Sequence, residues 1–160
     1  MIGLLISVLI AAYLFMKFHA RLTPNQILHI WVFSFAFHQW FDVVVLIKHQ
    51  GYWYFSKEAI EWKGLIPYIF LVPPINIVYL NQFPFQKSLL RKVFYIFLWT
   101  ICIFLYELFT LLPEPWGFFH YGWWKWWYSI LLDPILLFIV LMYYHLIQRV
   151  EKAGRRQDFE

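Results

Sequence analysis

Charge is scarce in this chain. Lys, Arg, Asp and Glu make up 14% of its 160 residues, where an average soluble domain carries about 25%. Such a composition excludes a disordered chain, a nucleic-acid-binding domain and an ordinary soluble enzyme. Cysteine is nearly missing as well. Cys102 is alone and lies inside an apolar run, so the chain forms no internal disulfide and offers no cysteine zinc site. There is no P-loop, no Gly-x-Gly-x-x-Gly, no Gly-x-Ser-x-Gly and no zinc-protease motif, which argues against nucleotide-driven chemistry. No motif points to a cofactor. Gly-x-x-x-Gly is absent too, so polar contacts between helices gain weight relative to close backbone packing. The N-terminal MIGLLISVLIAAYLFM has no Lys or Arg ahead of its apolar stretch and no Ala-x-Ala-like site after it. A cleaved signal peptide needs both, so a retained first helix is expected.

What the chain has in abundance is apolar and aromatic side chains, at 62% and 24% of its residues. A membrane helix needs about 20 mostly apolar residues. Five spans are expected, over residues 2–17, 26–47, 65–83, 93–112 and 127–147, in a single transmembrane domain covering 1–147. Residues 148–160 read as a polar cytoplasmic tail, a frayed helix end. The expected fold class is all-α, an integral membrane helical bundle.

Orientation follows the distribution of Lys and Arg. One side holds nine: Lys17, Arg21, Lys87, Arg91, Lys92, Arg149, Lys152, Arg155 and Arg156. The other holds four: Lys48, Lys57, Lys63 and Lys125. The N-terminus is therefore expected outside and the C-terminus in the cytoplasm of a multi-pass cell-membrane protein. Loss of the short first span would leave four spans, which the count also tolerates. Seven of the ten tryptophans (Trp53, Trp62, Trp116, Trp123, Trp124, Trp126 and Trp127) gather on the outer side. That placement reads as an interfacial belt. A sharper reading makes residues 114–129 a lid over an outward-facing cavity.

Ionisable side chains at membrane depth are costly and tend to face the bundle interior or water. Asp42, Glu107 and Asp133 come from three different spans, and a rise of about 1.5 Å per residue puts each roughly 7–9 Å below the outer boundary. Ser34, His38 and Asp42 recur every four residues and share a helix face. The third span is broken at Pro73-Pro74, which frees the carbonyls of Ile69 and Phe70, and Asn76 is the natural partner for them. Asn81 follows near the cytoplasmic end. His38, Asp42, Glu107, Asp133, Asn76 and Asn81 form the candidate ligand- or ion-binding set. No intramembrane Lys or Arg neutralises the acids. Protonation, a bound cation, an imidazolium at His38 or open water are the remaining options. His38 with the three carboxylates has the inventory of a metal site, without a diagnostic spacing. The competing reading is a hydrogen-bond network that locks the bundle. Asp133-Pro134 also fits an N-cap followed by an N1 proline.

The order Asp42, then Tyr79 with Asn81 and Gln82, then Glu107, then Tyr121, Trp124 and Ser129 resembles a family of small uncharacterised multi-pass membrane proteins of spore-forming Firmicutes. The similarity spans roughly residues 35–147. It implies a four- or five-span bundle in a Gram-positive plasma membrane and no particular chemistry. The leading functional expectation is a non-enzymatic membrane component or subunit. Its partners would be the lipid bilayer and other membrane subunits or further copies of itself, with no nucleic acid. The alternatives are a small transporter or channel element with a proton or cation site, and a membrane enzyme acting on lipid with His38 or Glu107 as general acid or base.

Overall fold

A computed structural model describes residues 1–57 and 62–157. The chain is built mainly of helices. α1 spans Ile2–Lys17 and α2 spans Pro24–Asp42, continued by a π-helical turn over Val43–Lys48. α3 (Leu65–Phe70) and α4 (Val72–Gln82) follow, then α5 (Leu89–Thr110) and α6 (Trp126–Gln157). Four helical stretches are long and apolar enough to cross a membrane: Pro24–Lys48, Trp62–Gln82, Leu89–Thr110 and Trp126–Gly154. α1 is apolar but shorter.

One feature departs from an all-helical expectation. The loops after α2 and after α5 each contribute a short strand, β1 (Tyr52–Tyr54) and β2 (Phe119–Tyr121). These pair antiparallel, with Tyr52 opposite Tyr121 and Tyr54 opposite Phe119. The stretch read as a membrane-surface lid is thus partly a strand. The polar tail, read as a helix end, continues α6 as far as Gln157, and its last three residues lie outside the described ones.

The local causes are readable. Thr23 caps α2 through a reciprocal capping box with Gln26, and Pro24 pre-sets the first turn. The third span breaks at Leu71, just ahead of the two prolines rather than at them. Pro73 and Pro74 then sit in the first turn of α4, where a missing N–H costs least.

α4 is the hub. It packs against α1, α2, α3 and α6, and the apolar stretch that it completes, Trp62–Gln82, is 56% buried inside the protein, against 11% for that of α5. Tyr79 at its centre is fully buried among Phe83, Tyr95 and Trp99. α5 packs along α6 and presents Leu90, Phe94, Phe97, Ile101 and Leu105 outward. α1 lies in the bundle against α4 and α3. Its buried residues are Gly3, Leu4, Ser7 and Ala11, the small ones at four-residue spacing. Small residues so spaced let helices approach closely. At Gly3 the close neighbour is the loop after α5, since a Cβ there would stand 1.8 Å from the Trp116 carbonyl oxygen.

Candidate functional site

The two-strand ribbon organises one end of the bundle. Successive strand residues face opposite sides and directly paired residues share a side. Tyr52 and Tyr121 are such a pair, and their phenols reach two different helices. The Tyr52 hydroxyl donates to Asp42 Oδ1 at the end of α2. The Tyr121 hydroxyl donates to Glu107 Oε1 in the last turn of α5. Asp42 also accepts from the hydroxyl of Tyr68 on α3, through Oδ2. Glu107 Oε1 accepts again from Ser129 Oγ at 2.7 Å, and Ser129 in turn accepts from Trp124 Nε1 at 3.0 Å. Six elements are thus joined through two carboxylates, α2, β1 and α3 through Asp42 and α5, β2 and α6 through Glu107.

The backbone holds the ribbon in place. Gly51 N–H donates to the Val45 carbonyl at 2.8 Å, and both Gly122 and Trp124 N–H groups donate to the Gly51 carbonyl. A Cβ at Gly122 would lie 2.3 Å from the Gln50 carbonyl oxygen, so only glycine fits this crossing. Gln50 and Phe55, which flank β1, have φ of 50° and 58°. For an aromatic residue such as Phe55 that conformation is costly. It is held by the bond from Phe55 N–H to the Phe118 carbonyl at 2.8 Å.

Burial keeps the ribbon phenols protonated. It pushes Tyr52 well above the ordinary 10.0, aided by Tyr54, by the charge of Asp42, by the bond to Asp42 and by Glu107. Tyr121 is likewise raised, by burial first and then by its bond to Glu107. A protonated phenol is a donor, which is what an ionised carboxylate requires.

The six candidate residues separate into distinct places. Asp42 and Glu107 meet opposite strands of the one ribbon. Asp133 lies one turn beyond Ser129 on α6, within electrostatic range of Glu107, and its Oδ2 has no hydrogen-bond partner. The N-cap reading of Asp133 does not hold, because α6 begins at Trp126 and Pro134 is internal to it. No hydrogen bond links His38 to Asp42 among the described residues; its ring meets Phe37 edge-on. Asn76 does not serve freed carbonyls but donates to Ser34 Oγ at 2.9 Å, tying α4 to α2. Asn81 works at the opposite end, where its Oδ1 accepts from Arg21 N–H at 2.8 Å. Among the described residues no group of three or more His, Cys, Asp or Glu side chains is placed to hold a metal ion.

A small cavity opens beside Asp42. Its volume is about 190 Å³, and Gln39, Tyr52, Tyr54, Tyr68, Trp53 and Lys57 are among its walls. Sequence reading missed Tyr52 on the ribbon and Tyr68 on α3, which stood out by no motif. Their one signal is the density of tyrosine and tryptophan on the same side as the three acids.

No protein-family model, curated protein or solved structure matches the chain.

Proposed function

We propose that the chain is a non-enzymatic multi-pass component of the cell membrane whose outer face is closed by the ribbon as a clasp. The observation that carries this reading is the pair Tyr52 and Tyr121, adjacent across the strands, each donating to a carboxylate on a different helix. Carboxylates engaged in this way act as interhelical fasteners. In the proposed arrangement five helices cross, with the N-terminus outside and the C-terminus in the cytoplasm. Three observations support it. Nine Lys and Arg lie on one side and four on the other. The Met1 amine and the Gly3 N–H both donate to the Pro115 carbonyl at 3.3 Å, which keeps the N-terminus on the ribbon's side. Trp62, Trp116, Trp123, Trp126 and Trp127 are exposed at the same end, as an interfacial belt requires. The outward row on α5 faces lipid or a neighbouring membrane subunit. The residues carrying the Firmicutes resemblance fit this reading, because Glu107, Tyr121, Trp124 and Ser129 form one network.

Two experiments test it. In a Cys102→Ser background, a membrane-impermeant maleimide should label Lys125→Cys in intact cells and Lys152→Cys only after permeabilisation. The reverse pattern overturns the orientation. Glu107→Gln keeps an acceptor for Tyr121 but neither takes up nor releases a proton at ordinary pH. A fastener tolerates it, with folding and membrane level retained. Proton- or cation-coupled flux that disappears in Glu107→Gln would replace the component reading with a transporter.

A further inference from the structure

We propose that the cavity beside Asp42 binds a small zwitterion in which a primary ammonium is linked to a phosphate. The inference rests on the membrane reading above, which puts Asp42 some six residues or about 9 Å in from Lys48 at the end of the span and the cavity's Trp53 and Lys57 in the outer loop, at headgroup level. At about 190 Å³ it is below the roughly 300–1,000 Å³ of drug-sized pockets. It suits a headgroup-sized molecule and is too small for a whole nucleotide.

The ammonium end follows from Asp42. Its carboxylate is buried and takes two phenol donors. An ionised carboxylate offers about four acceptor positions, so capacity remains. No Lys, Arg or His among the described residues pairs with it, although buried charges are ordinarily paired. Tyr52, Tyr54, Tyr68 and Trp53 wall the same cavity, and aromatic faces attract cations. A ligand ammonium would supply the missing counter-charge and donate to Asp42 Oδ1 or Oδ2 and to the phenol oxygens.

The phosphate end follows from two donors on the same cavity. Gln39 Nε2 is buried without any hydrogen-bond partner, which costs free energy unless an acceptor arrives. Lys57 is exposed at the rim, with its ammonium 5.3 Å from the centre of the Trp53 ring. A phosphate oxygen accepts from both. An amine alone would leave Gln39 unmet, and a simple anion would face Asp42. A molecule carrying both charges a few bonds apart answers each wall.

The test uses the full chain in detergent micelles. Native mass spectrometry compares retention of phosphatidylethanolamine with phosphatidylcholine and phosphatidylglycerol, and calorimetry titrates free O-phosphoethanolamine. The ethanolamine lipid should be retained over the other two. Gln39→Leu should weaken retention about tenfold, and Lys57→Ala should weaken it about threefold with reduced salt sensitivity. Neither residue belongs to the clasp, and removing an unmet donor leaves the unfolding midpoint unchanged or higher. A failure of binding is thereby separate from a failure of the clasp. Lipid binding without binding of the free compound assigns a membrane headgroup. Comparable binding of the free compound assigns a soluble aminophosphate. Equal retention of all three lipids with no response to free O-phosphoethanolamine overturns the proposal, as does binding unaltered in both variants.

Discussion

The two ends of the bundle are fastened by different chemistry. At the ribbon end, carboxylates on α2 and α5 accept from phenols carried on separate loops. At the other end, an amide and a helix cap do the work. Asn81 grips the turn between α1 and α2 through the Arg21 N–H, while the Arg21 guanidinium returns to the Asn81 carbonyl at 3.2 Å. Glu151 on α6 accepts from Asn25 Nδ2 at 2.8 Å and Gln26 Nε2 at 2.6 Å, beside the capping box that starts α2. A carboxylate there also meets the positive end of the α2 dipole. The Arg21–Asn81 grip sets one backbone group against one side chain in each bond, and the backbone partners are placed by the helix end and the turn themselves. The carboxylate fastenings at the ribbon end are made between side chains alone, those of Tyr52 and Tyr121 being delivered by the loops. Loss of a single acceptor should therefore cost more at the ribbon end.

Asp42→Ala should show the largest effect, because it strands the hydroxyls of Tyr52 and Tyr68 in a buried place. A destabilisation of about 2–5 kcal/mol is expected from two unmet donors, read by unfolding in detergent micelles. Asn81→Ala should cost less, about 1–3 kcal/mol for one stranded N–H, read in the same assay. If the two are equal, the contrast between the ends disappears. Tyr121→Phe removes one charge-assisted bond while the ring stays in place, and about 1–2 kcal/mol is expected. Its signature should be local: hydrogen exchange should rise in 118–122 and stay unchanged around Arg21 and Asn81.

The ribbon end should also be the alkali-sensitive one. The phenols of Tyr52 and Tyr121 are raised above the ordinary 10.0 in the folded protein. Their contribution is fully present below that value, where the unfolded chain is also protonated. It is lost as pH climbs from there towards the folded values. Tryptophan emission from Trp124 should shift above pH 10, with exchange at the Asn81 end following only on global unfolding. Simultaneous loss of both ends would contradict this order.

Residue pattern carried much of the bundle into view and little of the ribbon. Spans of about 20 apolar residues are dictated by bilayer thickness, so the helices announced themselves. The expected 2–17 coincides with α1, and the break in the third span lies within two residues of Pro73. Asp42 and Glu107 stood out because charge at that depth is expensive. Their partners did not, since tyrosine in an outer loop is as well explained by the interface as by a hydrogen bond. Two strands of three residues each leave no alternation long enough to read. The α1 contact was hidden for another reason. Gly3, Ser7 and Ala11 are an ordinary small-residue series, and only the Trp116 carbonyl above Gly3 shows how close the approach is. His38 shares the α2 face with Asp42 by periodicity, yet periodicity does not fix rotamers, and Tyr52 and Tyr68 occupy both carboxylate oxygens instead.

The measurement that bears most directly on the clasp is a double-mutant cycle between Asp42→Ala and Tyr52→Phe, with unfolding free energy in micelles as the readout. A coupling of about 1–3 kcal/mol is predicted, since each single change already breaks the same bond. Additive losses, equal to the sum of the two within about 0.5 kcal/mol, would mean that the ribbon is not held through Asp42.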